Sequence, residues 1–142
     1  MKRVSLTIMC CVFTLLGILN YGVYSDQSAE DAAFASSQKW LSLIDKGEYA
    51  KSWDESAAYF KNAITKEKWL ESMNAYRKPL GKLVSRNLKS KQYATTLPGA
   101  PDGEYVVIQY ETSFEYKKSA TETITPMLDK DGTWRVAGYY IR

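Results

Sequence analysis

The chain has 142 residues, which is a single-domain length, and its 19 Lys and Arg residues nearly balance 16 Asp and Glu residues. It contains no His, and its two cysteines, Cys10 and Cys11, lie close to the N-terminus. This composition excludes Ser-His catalytic triads and metal sites built from His, and a net charge of +3 provides no field that would attract nucleic acid. We therefore expect no metal, no cofactor and no nucleic-acid partner.

The first 25 residues have the features of a secretory signal. Residues 1–3 supply a short cationic region, and the run from Val4 to Leu19 is apolar and uncharged. This run is shorter than the about 20 apolar residues that a membrane-spanning helix needs. We expect residues 1–25 to be a signal peptide cleaved after Ser25, which leaves residues 26–142 as a mature, exported chain without cysteine. An uncleaved membrane anchor is the alternative.

Three helices are predicted in the first half of the mature chain. Ser28 is placed to cap the first, Gly47 to end it, and Thr65 to cap the third. Each helix carries one tryptophan, which we expect to pack against a sheet rather than to form a ligand cage. From the spacing of their apolar residues, the predicted helices are Ala29–Asp45, Glu48–Tyr59 and Lys66–Tyr76.

After Gly81 the apolar period changes from helical to alternating, which predicts strands. Lys117–Ser119 is the expected tip of one hairpin, and Pro126 predicts either an edge strand or a bulge, because proline cannot donate a ladder hydrogen bond. Helices followed by antiparallel strands predict an α+β fold, a single domain over 26–142 with its N-terminal helices packed on a curved four-stranded sheet. The predicted strands are Leu83–Tyr93, Glu104–Tyr116, Thr121–Leu128 and Thr133–Ile141.

The last strand carries a hypothesis about association. An Asp-Gly turn at 131–132 introduces it, and we place it at the centre of the fold. Gly138 permits close approach of a neighbouring element, so we assign its face, shared with Trp134, to the helices. Arg135, Tyr139 and Ile141 would then face outward, as residues suited to an interface. The expected partner is a second copy of the chain, or another protein, on this open face.

Four segments carry a resemblance to a known family. They are the helix and turn from Trp40 to Trp53, the run 77–81 with Ser85-Arg86 after it, the loop 97–105, and the closing strand 134–139. Together they resemble domain-of-unknown-function family 4019, a group of small secreted bacterial proteins with no established activity. The resemblance implies a periplasmic or extracellular location. The order of elements is also similar to the cone-shaped nuclear-transport-factor-2-like superfamily, which includes isomerases, dehydratases and binding domains.

The similarity to that superfamily defines an enzymatic alternative. Its isomerase-like members pair an acidic base with tyrosine or acid donors in a dry cavity. A polar strand residue that faces water is the more ordinary interpretation of such residues here. We therefore expect a non-catalytic binding or interaction domain, and keep a small-molecule isomerase or hydro-lyase with a buried carboxylate and tyrosine as the alternative. The candidates are Asp54, Glu111 and Glu122 with Tyr105, Tyr110 and Tyr139.

A basic stretch crosses the junction between helices and sheet, at Arg77, Lys78, Lys82, Arg86, Lys89 and Lys91. We interpret it as a solvated edge strand protected by lysines, and alternatively as a site for a carboxylate, a phosphate or an anionic membrane surface. Arg86 and Arg135 lie among apolar strand residues, so both should have carboxylate partners. The residues predicted to bind a small ligand or a protein partner are Arg86, Tyr110, Arg135, Tyr139 and Ile141.

Overall fold

The computed structural model describes residues 21–142, so residues 1–20 of the predicted signal peptide lie outside the described part of the chain. Four helices come first and four strands follow, which confirms the α+β class, and the arrangement is compatible with a nuclear-transport-factor-2-like cone. Within this part of the chain no helix is both long and apolar enough to cross a membrane. The elements are α1 Tyr21–Asp45, α2 Tyr49–Asp54, α3 Ala58–Ala63, α4 Lys66–Ser72, β1 Leu83–Ala94, β2 Tyr105–Phe114, β3 Lys117–Leu128 and β4 Trp134–Ile141.

Helix α1 ends where the sequence predicts but begins earlier. Gly47 adopts a φ of 75°, and its N–H donates to the carbonyl of Ile44 at 3.0 Å while the Glu48 N–H donates to Leu43 at 2.9 Å. This pair of bonds is a Schellman motif, which satisfies carbonyls at the end of the helix. Ser28 lies inside the helix, so its prediction as the N-cap is wrong.

The predicted second helix is two short helices, α2 and α3. The backbone N–H of Ala57 donates to the carbonyl of Val136 in β4 at 2.8 Å. This tertiary hydrogen bond replaces an intrahelical bond, so the helix is divided at this point. Thr65 caps α4 as predicted, because its side chain accepts from the Lys68 N–H at 3.3 Å. The chain then widens into a π-helical turn, Met73–Arg77, and tightens into a 3₁₀ turn, Lys78–Leu80, that contains Pro79.

The four antiparallel strands are arranged in the order β1-β2-β3-β4. The prediction that the last strand is central is wrong, because among the described strands β4 pairs with β3 alone and forms an edge of the sheet. β1 is the other edge, in line with its lysines. Pro126 lies at a bulge, since Thr125 pairs with Gly138 while Pro126 pairs with Val136. The tip of the β2–β3 hairpin is at Glu115 and Tyr116, so Lys117–Ser119 belong to β3 instead.

The core lies between α1 and the inner faces of β2 and β3. The Trp40 side chain is 3% exposed, and its indole N–H donates to the Ser52 carbonyl at 2.8 Å and to Ser56 Oγ at 3.0 Å. Trp69 donates likewise to Ser52 Oγ at 3.0 Å. The expectation that the tryptophans pack in the core is confirmed for Trp40 and Trp69. The buried serines accept the hydrogen bonds of both indole N–H groups. Core residues around them include Leu41, Ile44, Val106, Ile108, Tyr110 and Ile124.

Candidate functional site

The bulge in β4 decides which side chains face the helices. Because Ala137 has no partner in β3, side chains after it exchange faces relative to those before it. Trp134 and Val136 face the helices as predicted, but Tyr139 does so too. Its ring packs edge-on against Trp40, with ring centres 5.2 Å apart. The prediction that Tyr139 faces outward is therefore wrong.

Glu122 is the centre of a polar cluster beneath the helices. It lies in the middle of β3, faces inward and is 0% exposed. Its Oε1 accepts from Arg86 Nε at 2.7 Å and from Thr112 Oγ1 at 2.7 Å. Its Oε2 accepts from Arg86 Nη2 at 3.1 Å and from the Tyr139 hydroxyl at 2.5 Å. Four donors thus surround one carboxylate, which meets the hydrogen-bonding demand of a buried charge.

Arg86 joins Glu122 to a second carboxylate. Its Nη1 lies 2.7 Å from Asp45 Oδ2 and its Nη2 lies 2.9 Å from Asp45 Oδ1. This geometry confirms the prediction that Arg86 has carboxylate partners. Burial alone would lower the pKa of Arg86, but the hydrogen bonds that it donates to Asp45 and Glu122 raise the pKa overall, so the guanidinium is a permanent cation here.

Arg77 completes the cluster from the other side of Asp45. It is 3% exposed, donates to the Gly81 carbonyl at 2.7 Å, and approaches Asp45 Oδ1 at 3.3 Å. Its guanidinium lies 4.4 Å from the ring centre of Phe114, a cation–π contact. Within the described residues its Nε has no hydrogen-bond partner. We call Asp45, Arg77, Arg86 and Glu122 the buried ion network.

Sequence reasoning missed two members of this network. Arg77 was assigned to a solvated basic stretch, and Asp45 was not considered. One signal could have found Asp45: it is the last residue of α1, where the helix dipole disfavours an acid. An acidic residue in that position indicates compensating cations nearby, and two arginines provide them.

Beside the network lies an open cleft of about 460 Å³, which we call the β4 cleft. One wall is a helical face that runs from α4 through the π-helical turn, since its residues recur at a spacing of three to four. The other wall is the end of β4, and Tyr139 connects it to Glu122. The cleft is lined by Trp69, Ser72, Met73, Tyr76, Arg77, Leu80, Lys117, Tyr139, Tyr140, Ile141 and Arg142.

The lining of the β4 cleft combines aromatic surface with positive charge. Among the residues that the structure describes, its charged side chains are Arg77, Lys117 and Arg142, and no Asp or Glu lines it. Tyr76 is 75% exposed, and Tyr140 is also exposed at the rim. Exposed aromatic groups beside cations form a surface suited to a ligand that is apolar in one part and anionic in another.

The buried Tyr110 and the half-buried Tyr139 are neutral phenols. Burial raises the pKa of Tyr139 well above its ordinary value, and the adjacent charge of Glu122 raises it further. Burial also raises the pKa of Tyr110, although Ser37 and Gln38 hydrogen bonds oppose this effect. Gln38 Nε2 donates to the Tyr110 hydroxyl at 2.8 Å. The Tyr110 ring lies 6.0 Å from the guanidinium of Arg86, so it borders the network.

Arg135 lies at a different place. It donates to Asp129 at 3.0 Å and to Asp131 at 2.9 Å, which confirms that it has carboxylate partners. These bonds connect β4 to the turn before it. The hydrogen bond from Arg135 to Asp131 lowers the pKa of that carboxyl. Arg135 also lines a second, more open groove of about 660 Å³ with Lys39 and Trp134. The structure thus separates Arg135 from the other predicted site residues, while it brings Arg86, Tyr110 and Tyr139 together and places Ile141 in the β4 cleft.

Among the proposed catalytic pairs in the described part of the chain, only Glu122 and Tyr139 are hydrogen-bonded to each other. Asp54 is exposed and pairs with Lys66 at 2.6 Å, and Glu111 lies on the water-facing side of β2. The Tyr105 hydroxyl donates to the Pro101 carbonyl at 2.5 Å rather than to a carboxylate. Between residues 21 and 142, no group of three or more acidic side chains gathers as a possible metal site.

The sequence profile of DUF4019, a family of proteins of unknown function, matches residues 36–139. The chain belongs to this family, which confirms the resemblance noted from its motifs. The matched region contains all four residues of the buried ion network and most of the β4 cleft. A comparison with curated proteins finds no match to this chain.

Proposed function

We propose that this protein is a non-catalytic binding domain and that the β4 cleft is its binding site. The observation that carries the proposal is the lining of the cleft, in which every charged side chain among the described residues is cationic and the apolar part combines aromatic and aliphatic side chains. A ligand with an apolar body and an anionic group would match both features. The buried ion network supports the cleft from below, because Tyr139 and Arg77 belong to the lining and are held by Glu122 and Asp45.

The state of Glu122 argues against catalysis. A general base needs a lone pair that can reach the proton it removes. Both carboxylate oxygens of Glu122 already accept two hydrogen bonds each, from Arg86, Thr112 and Tyr139. These contacts fit a structural carboxylate that fixes the position of its neighbours.

One observation favours the alternative, a small-molecule isomerase or hydro-lyase. Glu122 and Tyr139 form the acid and tyrosine pair that such an enzyme needs, and Tyr139 lines the cleft. The two functions differ in what Tyr139→Phe should do. A binding domain should retain its affinity for an anionic ligand when the hydroxyl is removed. An enzyme of this kind should lose turnover of its substrate when the hydroxyl is removed.

We further propose that the domain acts outside the cytoplasm, in the periplasm or the extracellular space of a bacterium. The support is the cationic and apolar pattern of residues 1–25 together with the absence of cysteine after Cys11. A domain without disulfides depends on its core for stability, and the aromatic core around Trp40 and Trp69 fits that requirement.

Binding can be tested with 3-phenylpropanoate and its neutral amide as a matched pair of probes. We expect the carboxylate to shift the backbone NMR signals of Tyr76, Tyr139 and Ile141, and the amide to bind more weakly. Lys117→Gln should weaken carboxylate binding about fivefold, since an exposed charge contributes about 1 kcal/mol. Lys118→Gln is the control, because the Lys118 side chain lies on the outer face of the sheet. Equal effects of the two substitutions, or no shift in the cleft, would reject the proposed site.

A further inference from the structure

The free edge of β4 differs between its two halves. In the first half, the Trp134 carbonyl accepts from Ser36 Oγ at 2.6 Å and the Val136 carbonyl accepts from the Ala57 N–H at 2.8 Å. Helix α1 and the link between α2 and α3 therefore occupy this part of the edge. An unpaired strand edge is otherwise a template for another strand.

The second half of the edge has no such cover. Arg142 and Thr121 exchange both backbone hydrogen bonds at 3.0 Å. Hydrogen-bonded and non-hydrogen-bonded pairs alternate along an antiparallel ladder, so Ile141 and Tyr139 direct their N–H and C=O groups away from β3. Within residues 21–142 these four groups have no hydrogen-bond partner.

These free groups lie along the β4 cleft, because the residues from Tyr139 to Arg142 form one of its walls. The opposite wall is the helical face that carries Trp69, Met73 and Tyr76. A groove between a strand edge and a helix accommodates an extended chain, whose backbone bonds to the edge while alternate side chains face the helix.

We infer that the ligand of the β4 cleft is an extended peptide that adds to β4 as a fifth strand. This inference rests on the proposed function, and it specifies the class of ligand for the same site. The free N–H and C=O groups of Tyr139 and Ile141 offer the peptide up to four backbone hydrogen bonds. Charge complementarity sets its chemistry: Lys117 and Arg142 favour a peptide with a carboxylate, and the aromatic lining favours an apolar side chain next to it.

The peptide class can be tested by selecting random heptapeptides with free C-terminal carboxylates on the immobilised protein. Hydrogen exchange of the complex then measures the amides of Tyr139 and Ile141. We expect enriched peptides to be apolar and acidic and to slow the exchange of both amides at least tenfold. Enriched peptides that leave these amides unprotected would overturn the inference, and so would a selection that enriches nothing although 3-phenylpropanoate binds. Either outcome leaves the proposed binding site standing.

Two variants isolate the backbone contribution. Ile141→Pro removes the N–H on the free side of the strand, where an edge tolerates proline, and Ile141→Ala removes the same side chain but keeps the N–H. We expect the proline variant to bind the selected peptides at least tenfold more weakly than the alanine variant. Equal peptide affinity of the two variants would contradict strand addition.

Discussion

A single carboxylate, Glu122, determines how the inner surface of the sheet is organised. It receives four hydrogen bonds from three strands, through Arg86 in β1, Thr112 in β2 and Tyr139 in β4. A buried charge with this many donors is costly to disturb, because each donor loses its acceptor together with the charge. Glu122 therefore fixes the position of one residue from every other strand.

Glu122→Gln tests this role. The substitution leaves the network with an excess positive charge, and breaking a buried pair costs about 3 to 5 kcal/mol of unfolding free energy. We expect about 3 kcal/mol, because Asp45 still holds Arg86. Urea denaturation measures the change, with Glu111→Gln as the control from the exposed face of β2. A similar small shift for both variants would show that the network contributes little to stability.

The pKa of Tyr139 leads to a prediction at high pH. A folded-state pKa above the unfolded value of about 10 stabilises the protein fully below that pH, and the stabilisation is lost as the pH rises toward the folded value. Tyr139→Phe cannot ionise, so the stability difference between wild type and variant should shrink from about pH 8 to about pH 11. Denaturation at both pH values measures it. Tyr116→Phe, at an exposed site, is the control and should change the stability little.

Sequence reasoning identified individual charged residues better than their grouping. Arg86 and Arg135 were correctly expected to have carboxylate partners, because an arginine among apolar strand residues needs one. Arg77 was missed, since its neighbours in sequence are basic and exposed, and only the fold places it under α1. Grouping depends on tertiary contacts between residues far apart in sequence, such as those of Arg86 with Asp45 and Glu122.

At the scale of elements, turn residues were the most reliable signals. Gly47 and Thr65 mark real helix ends, and Pro126 marks a real bulge. Errors arose where a tertiary hydrogen bond overrides a local pattern, as at Ala57, and where one extra residue, Ala137, exchanges the faces of β4. Alternation alone cannot locate such an insertion, because each half of the strand is regular by itself.

Two glycines with nearly the same φ offer a matched test of how these elements are joined. Gly47 has a φ of 75° and open space around an added Cβ, whereas Gly81 has a φ of 76° and would place that Cβ 2.8 Å from the Tyr116 ring. Gly47→Ala should cost about 1 to 2 kcal/mol from backbone strain alone. Gly81→Ala should cost about 1 to 3 kcal/mol more because of the clash. Thermal or urea denaturation of both variants compares the two losses of unfolding free energy. Equal losses would mean that the loop around Tyr116 moves aside without a free-energy cost.

For the whole molecule, the order of elements was predictable and the position of the last strand was not. Helices before antiparallel strands give the α+β class from periodicity alone. The place of β4 in the sheet depends on which strands pair, whereas an alternating pattern reports only which face of a strand is buried. The β4 cleft follows from that edge position, so sequence reasoning could not locate it.

Export is the prediction that concerns the chain as a whole. If residues 1–25 are a cleaved signal, the protein recovered from the envelope or the medium should begin at Asp26. Intact mass or N-terminal sequencing decides this point. A recovered species that still contains Cys10 and Cys11 would instead support the membrane-anchor alternative.

The two edges of the sheet are chemically different, and this limits how the molecule can assemble. β4 leaves backbone groups free over a short stretch only, whereas β1 carries Lys89 and Lys91 along its length. Growth of a fibril requires both edges to accept a strand, so that each added unit offers a new template. Here the lysines of β1 oppose the pairing of an added strand at that edge. A peptide bound at β4, as proposed, would therefore not propagate into an open-ended assembly through β1.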